Sequence, residues 1–165
     1  MRKRLITAAP PDAEHLDDDW INLESRALVE VTSEEKEYPV ESALISGETN
    51  GWRASESGTQ TIRPIFDEPQ SLKRISLAFE ELQIELTQEF VLRWSGDGGR
   101  PFREIVRQQW NFSPPSTIGE FEKYKVELPG VNILELVIVP DISRELLTHR
   151  SRFCVCPSLR QCYEM

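Results

Sequence analysis

Short runs in which apolar and polar residues alternate recur along most of this chain. Residues 72–79 (LKRISLAF) put Ile75, Leu77 and Phe79 on one face and Arg74, Ser76 and Ala78 on the other. Residues 87–94 (TQEFVLRW) set Phe90, Leu92 and Trp94 against Glu89, Val91 and Arg93. Residues 121–128 oppose Tyr124, Val126 and Leu128 to Lys123, Lys125 and Glu127. Residues 27–32 (ALVEVT) and 59–66 (TQTIRPIF) carry the same period of two, with Pro64 pointing to an edge or a bulge. Residues 132–139 (NILELVIV) are nearly all apolar, as a central strand covered on both faces is. In 102–110 the adjacent Ile105 and Val106 suit either a bulged strand or a helical turn.

The separators DEPQ, SGDGGRP, NFSPPS and LPGVN are turn chemistry. The clearest helix candidate, 142–149, is short. Short strands with Gly- and Pro-rich turns predict an all-β fold, an antiparallel jelly-roll sandwich of about eight strands. The sandwich is expected over residues 25–157, and 153–156 offers its last strand. Residues 1–24 are polar and acidic and read as a surface or partly disordered segment that Trp20, Ile21 and Leu23 dock. Residues 158–165 form a tail.

Composition narrows the partners. The chain has 165 residues, 39% of them hydrophobic, which suits one domain that folds without disulfide or metal. A net charge of −9 argues against nucleic acid and against an anionic membrane surface. The start MRKR is basic, but the apolar part that follows spans only 5–9 before Pro10, Pro11 and Asp12. That is short of the roughly 7–15 residues of an export core. Three cysteines (Cys154, Cys156, Cys162) crowded into the tail are no disulfide framework. The expected setting is cytoplasmic.

Four stretches in order resemble a known group. They are ESALISGETNGWRA, QTIRPIFDEPQSLKRISLAF, TQEFVLRWSGDGG and LELVIVPD. Together they resemble the galactose-binding-domain-like β-sandwich of the discoidin or coagulation factor 5/8 C-terminal type over about residues 27–141. The shared features are a small-residue loop leading to a Trp, then a strand ending in an acidic residue and Pro. A further strand feeds an S-x-D-G turn, here Ser95, Asp97 and Gly98. The resemblance implies an eight-stranded jelly roll with ligands at loops clustered at one end. It implies sugar, lipid head-group or protein ligands, and in some members a structural calcium near the first long loop. Fold alone does not fix function.

The residues themselves offer several sites. Trp52 is either a sugar-stacking platform or, the reading favoured here, a plug beneath its loop. Arg53 beside it can donate to hydroxyls or a carboxylate, with Asn50 and Glu48 as neighbours. Trp110 with Asn111, near Phe112, is a second candidate contact, and Trp94 is assigned to the core. Glu48, Asn50 and Asp97 supply oxygens for calcium, fewer than the six to eight it takes. His149, Cys154, Cys156 and Cys162 are a four-ligand zinc set with irregular spacing. Glu80, Glu81 and Glu85 could do glycosidase chemistry or simply tip a hairpin. Nucleophile elbows, phosphate loops and dinucleotide fingerprints are absent from the sequence. The expectation is a non-catalytic, intracellular binding module without cofactor. Its partner is a carbohydrate or a protein, met through residues 46–58, 95–101 and 111–119. A purely structural interaction subunit and a glycosidase-like enzyme are the alternatives, and the oligomeric state stays open.

Overall fold

The computed structural model describes residues 20–45, 50–81, 85–96, 101–116, 119–140 and 150–156, the last by backbone alone. Its strands are β1 (Ala27–Val31), β2 (Gln60–Glu80), β3 (Leu86–Ser95), β4 (Arg103–Phe112), β5 (Gly119–Pro140) and β6 (Arg150–Cys156). All pairing is antiparallel.

β2 and β5 are long enough to serve two layers. The first part of β2 pairs with β1 and with the last part of β5, and β5 continues to β3 and β4. The last part of β2 pairs with β6 and with the first part of β5. One layer therefore holds five strand segments and the other three, eight in all. The change of layer falls where the β2–β5 register slips, between Ile65 and Arg74. DEPQ (67–70) and LPGVN (128–132) are thus corners inside continuous strands, and Gly130 takes φ +65 at one of them. A bulge turns a strand in this way without ending it.

The two layers meet through rings. Phe79 of the smaller layer packs on Phe90 and Trp110 of the larger, with centroids 5.6 and 4.7 Å away. Ile62, Ile75, Leu77, Leu92, Leu134, Leu136 and Ile138 join them with no exposed surface. This is an all-β sandwich, and alternation along each strand places its core. Two helical turns, α1 (Leu23–Arg26) and α2 (Glu41–Leu44), add Leu23, Ala43 and Leu44 to the core. Ile21 joins them.

Three expectations change. Pro64 lies in an interior segment, opposite Val29 and flanked by β5, because β1 covers what sequence reads as an edge. The pair Ile105–Val106 is strand with a register slip against Leu92 and Arg93, not a helical turn. The last strand is longer than 153–156 and begins at Arg150. The helix candidate 142–149 lies outside the described residues.

Gln88 marks a local cost. It is 1% exposed, faces Trp110 across the β3–β4 ladder, and neither of its amide atoms has a partner among the described residues. A buried polar group without a hydrogen bond costs about 1–3 kcal/mol. Gln88→Met keeps the volume and removes the polar atoms, so it is expected to raise the urea midpoint with an unchanged m-value.

Candidate functional site

The ladder decides which loops share an end. β1 ends at Val31 beside Ile62, β2 begins at Gln60 opposite Ile138, and β3 begins beside Phe112 and Pro140. Connections 32–59 and 113–118 therefore leave from one rim. At the other rim Trp94 faces Arg103 and Ser95 faces Ile133. A Cβ at Gly96 there would meet the Gly130 carbonyl at 3.1 Å. Residues 95–96 are thus at the opposite end from 50–58, so the described parts of the expected ligand face of 46–58, 95–101 and 111–119 do not share one rim; 46–49, 97–100 and 117–118 lie outside the described residues. Strand order, which local pattern does not encode, is the reason.

The near rim is built around Trp52. Gly51, at φ +67, makes the turn that drives the ring inward. Trp52 has no exposed surface, and its Nε1–H donates to the Ser33 carbonyl at 3.0 Å. The Ser33 hydroxyl donates to Gln60 Oε1 at 2.7 Å and accepts the Glu56 N–H at 3.2 Å. Gln60 Nε2 donates to the Glu56 carbonyl at 3.0 Å. These bonds fasten residues 54–60 to the first turn after β1. The stacking role for Trp52 is corrected here: a fully buried ring offers no face to a sugar.

A second set of bonds shapes what does face outward. The Glu35 N–H donates to the Arg53 carbonyl at 2.8 Å, and the Arg53 N–H to the Tyr38 carbonyl at 3.1 Å. The Val40 N–H donates to Glu34 Oε2 at 2.8 Å. Held so, Arg53 lays its guanidinium over the Tyr38 ring, 4.3 Å from the centroid. Glu35 Oε2 stands 3.6 Å from Arg53 Nη1, an ion pair rather than a hydrogen bond. The Arg53 side chain keeps 24% of its surface and makes no side-chain hydrogen bond among the described residues. Its Nε is buried and has no partner among the described residues. A partly exposed guanidinium beside an aromatic ring and a carboxylate suits neighbouring hydroxyls through the donors other than Nε. Asn50 is exposed three residues before Arg53 in the chain. Sequence reasoning found Arg53 and Asn50 but missed Tyr38 and Glu35. The signal available was an aromatic before Pro39 in an otherwise charged run, SEEKEYPV.

The remaining candidates scatter. Trp110 is 4% exposed and wedged between Phe79 and Phe90, so it offers no binding face either. Asn111 is exposed and its Oδ1 accepts from the Thr87 hydroxyl at 2.8 Å. Trp94 is half-buried against the core, beneath Arg103 at 5.4 Å. Of the acidic trio, Glu81 is buried and partnered while Glu85 is exposed, so they do not form a pair facing solvent. Glu48, Asp97, His149 and Cys162 lie outside the described residues, and Cys154 and Cys156 sit on β6 opposite Ser76 and Arg74. Among the described residues no three His, Cys, Asp or Glu side chains group as a metal site would.

No protein-family model and no curated protein matches the sequence. Solved structures do match in shape. A variant GH29 fucosidase from Ruminococcus gnavus, in complex with fucose, superposes with TM-score 0.64 at 13% identity. The match covers 84% of this chain and only 27% of the fucosidase chain. A CBM32 module from Clostridium perfringens, in complex with GalNAc-β-1,3-galactose, gives TM-score 0.55 at 16% identity over 79% of this chain and 94% of its own. A pectin-binding carbohydrate-binding module gives 0.52 at 14% identity, covering 79% and 89%. At such identities the likeness concerns shape alone, and by shape this chain is a galactose-binding-domain-like, discoidin-like β-sandwich.

Proposed function

We propose that this protein is a non-catalytic carbohydrate-binding module whose ligand rests on the near rim, against Arg53 and Tyr38. Arg53 donates to adjacent hydroxyls, Glu35 accepts from one, and Asn50 borders the contact. The observation that carries the reading is a partly exposed guanidinium stacked on an aromatic ring that makes no side-chain hydrogen bond among the described residues. The two modules that match over nearly their whole length are described as carbohydrate binders, which supports it. The fucosidase likeness covers about a quarter of that enzyme, so it supports the module rather than the hydrolase.

The test is a glycan array read with the wild-type chain, Arg53→Ala and Tyr38→Ala. Arg53→Ala is expected to weaken the best wild-type ligand at least tenfold, on the order of 1.4 kcal/mol. Its effect on stability is expected to stay under about 1 kcal/mol, since a partly exposed ion pair contributes little. Undiminished binding by both variants would overturn the assignment of the site, and silence of the wild type across neutral and acidic glycans would overturn the function.

A further inference from the structure

The segment before β1 carries three large apolar residues close together, and they part company. Ile21 and Leu23 are buried in the core at 7% and 2% exposure and do the docking. Trp20 stays half-buried. It lines an open cleft of about 190 Å³ together with Ile21, Asn22, Glu24, Leu44 and Ile45. The side chains of Asn22 and Glu24 are exposed and make no hydrogen bond or ion pair among the described residues. The lining comes from the segment leading into and opening α1 and from the end of α2, and includes neither Arg53 nor Tyr38, so the cleft is distinct from their contact.

We infer that this cleft is a second sugar-binding site, one that takes a single neutral pyranose unit. The volume is of the size of one ring, not of a chain. An indole face matches the C–H face of a pyranose, with the rim left for polar groups. Asn22 can donate to and accept from neighbouring hydroxyls, and Glu24 can accept from them. The Glu24 carboxylate, in a chain of net charge −9, opposes a uronate in the same place. Two sites on one module raise affinity for branched or repeated ligands by effective concentration.

The inference shares with the proposed function only the assumption that sugars bind, and an NMR titration separates the two. Methyl β-glucopyranoside, methyl β-galactopyranoside, methyl α-mannopyranoside and glucuronate are added to the full chain. The Trp20 indole N–H resonance is assigned by its loss in Trp20→Phe. The expected result is a saturating shift of that resonance with at least one neutral glycoside and none with glucuronate. The shift should persist in Arg53→Ala and vanish in Asn22→Ala/Glu24→Ala, whose exposed changes leave the core intact. If the Arg53 amide responds and the Trp20 indole does not, the inference falls and the near-rim site stands. If only Trp20 responds, the near-rim site falls. A Trp20 shift that survives Asn22→Ala/Glu24→Ala also overturns the inference, because the ring then binds without the cleft.

Discussion

Trp52→Ala is expected to cost about 3–5 kcal/mol, the range for removing a large aromatic from a packed core. The ring has no exposed surface and holds its loop to Ser33 through the indole N–H. Against a total stability of about 5–15 kcal/mol, that loss takes the chain near its folding threshold. Trp52→Phe keeps most of the apolar ring and drops the hydrogen bond, leaving the Ser33 carbonyl without that donor. A loss of about 1–3 kcal/mol is expected. Urea unfolding followed by far-ultraviolet circular dichroism separates the two. Because Arg53 follows directly, Trp52→Ala should also abolish ligand binding under conditions where it remains folded. A midpoint for Trp52→Ala equal to that of the wild type would mean the ring is not part of the core.

The second large effect lies on the outer surface of the five-segment layer. Glu135 of β5 has no exposed surface, yet its side chain points away from the core residues Leu134 and Leu136. Arg63 covers it from β2, with Nε and Nη2 each 2.6 Å from Oε2, and Arg93 covers it from β3 through Nε. Arg63 also donates to Glu30 of β1 at 2.6 Å. The hydrogen bond to Glu135 pushes the Arg63 pKa up, against a smaller opposing effect of burial. One row across four neighbouring segments thus alternates in charge. Arg63→Met with Arg93→Met leaves a buried carboxylate without cations, and a loss of about 3–5 kcal/mol at pH 7 is expected. Adding Glu135→Leu should recover most of the loss, since a well-packed apolar replacement of a buried ion pair is often neutral. A double Met variant as stable as the wild type would show that solvent reaches Glu135.

Much of this was legible in the chain and the rest was not, for identifiable reasons. The inward sets Ile75–Leu77–Phe79 and Phe90–Leu92 follow from alternation alone, because side-chain direction in a strand has a period of two. The apolar run 132–139 reads as covered on both faces, and at Glu135 the cover on the outer face is two arginines rather than apolar side chains. DEPQ reads as a turn because its residues are turn formers, whereas the strand carries them through a corner with Asp67, Glu68 and Pro69 exposed. Which rim a loop occupies depends on strand order, and strand order is a long-range property. Hence 95–96, grouped with 50–58 by local pattern, lie at the other rim. Trp52 was ambiguous because a glycine-flanked tryptophan suits both a plug and a platform. Only the Ser33 carbonyl partner, nineteen positions earlier, decides for the plug. Tyr38 escaped notice because its run has no period at all.

The account rests on the near rim as the ligand face. Hydrogen–deuterium exchange of the chain with and without the best glycan from the array tests this directly. The predicted result is slowed exchange in peptides covering 33–40 and 50–58, with no change in those covering 101–112. Protection confined to peptides at the opposite rim, around 66–70 and covering 95–96 or 101–103, would contradict it.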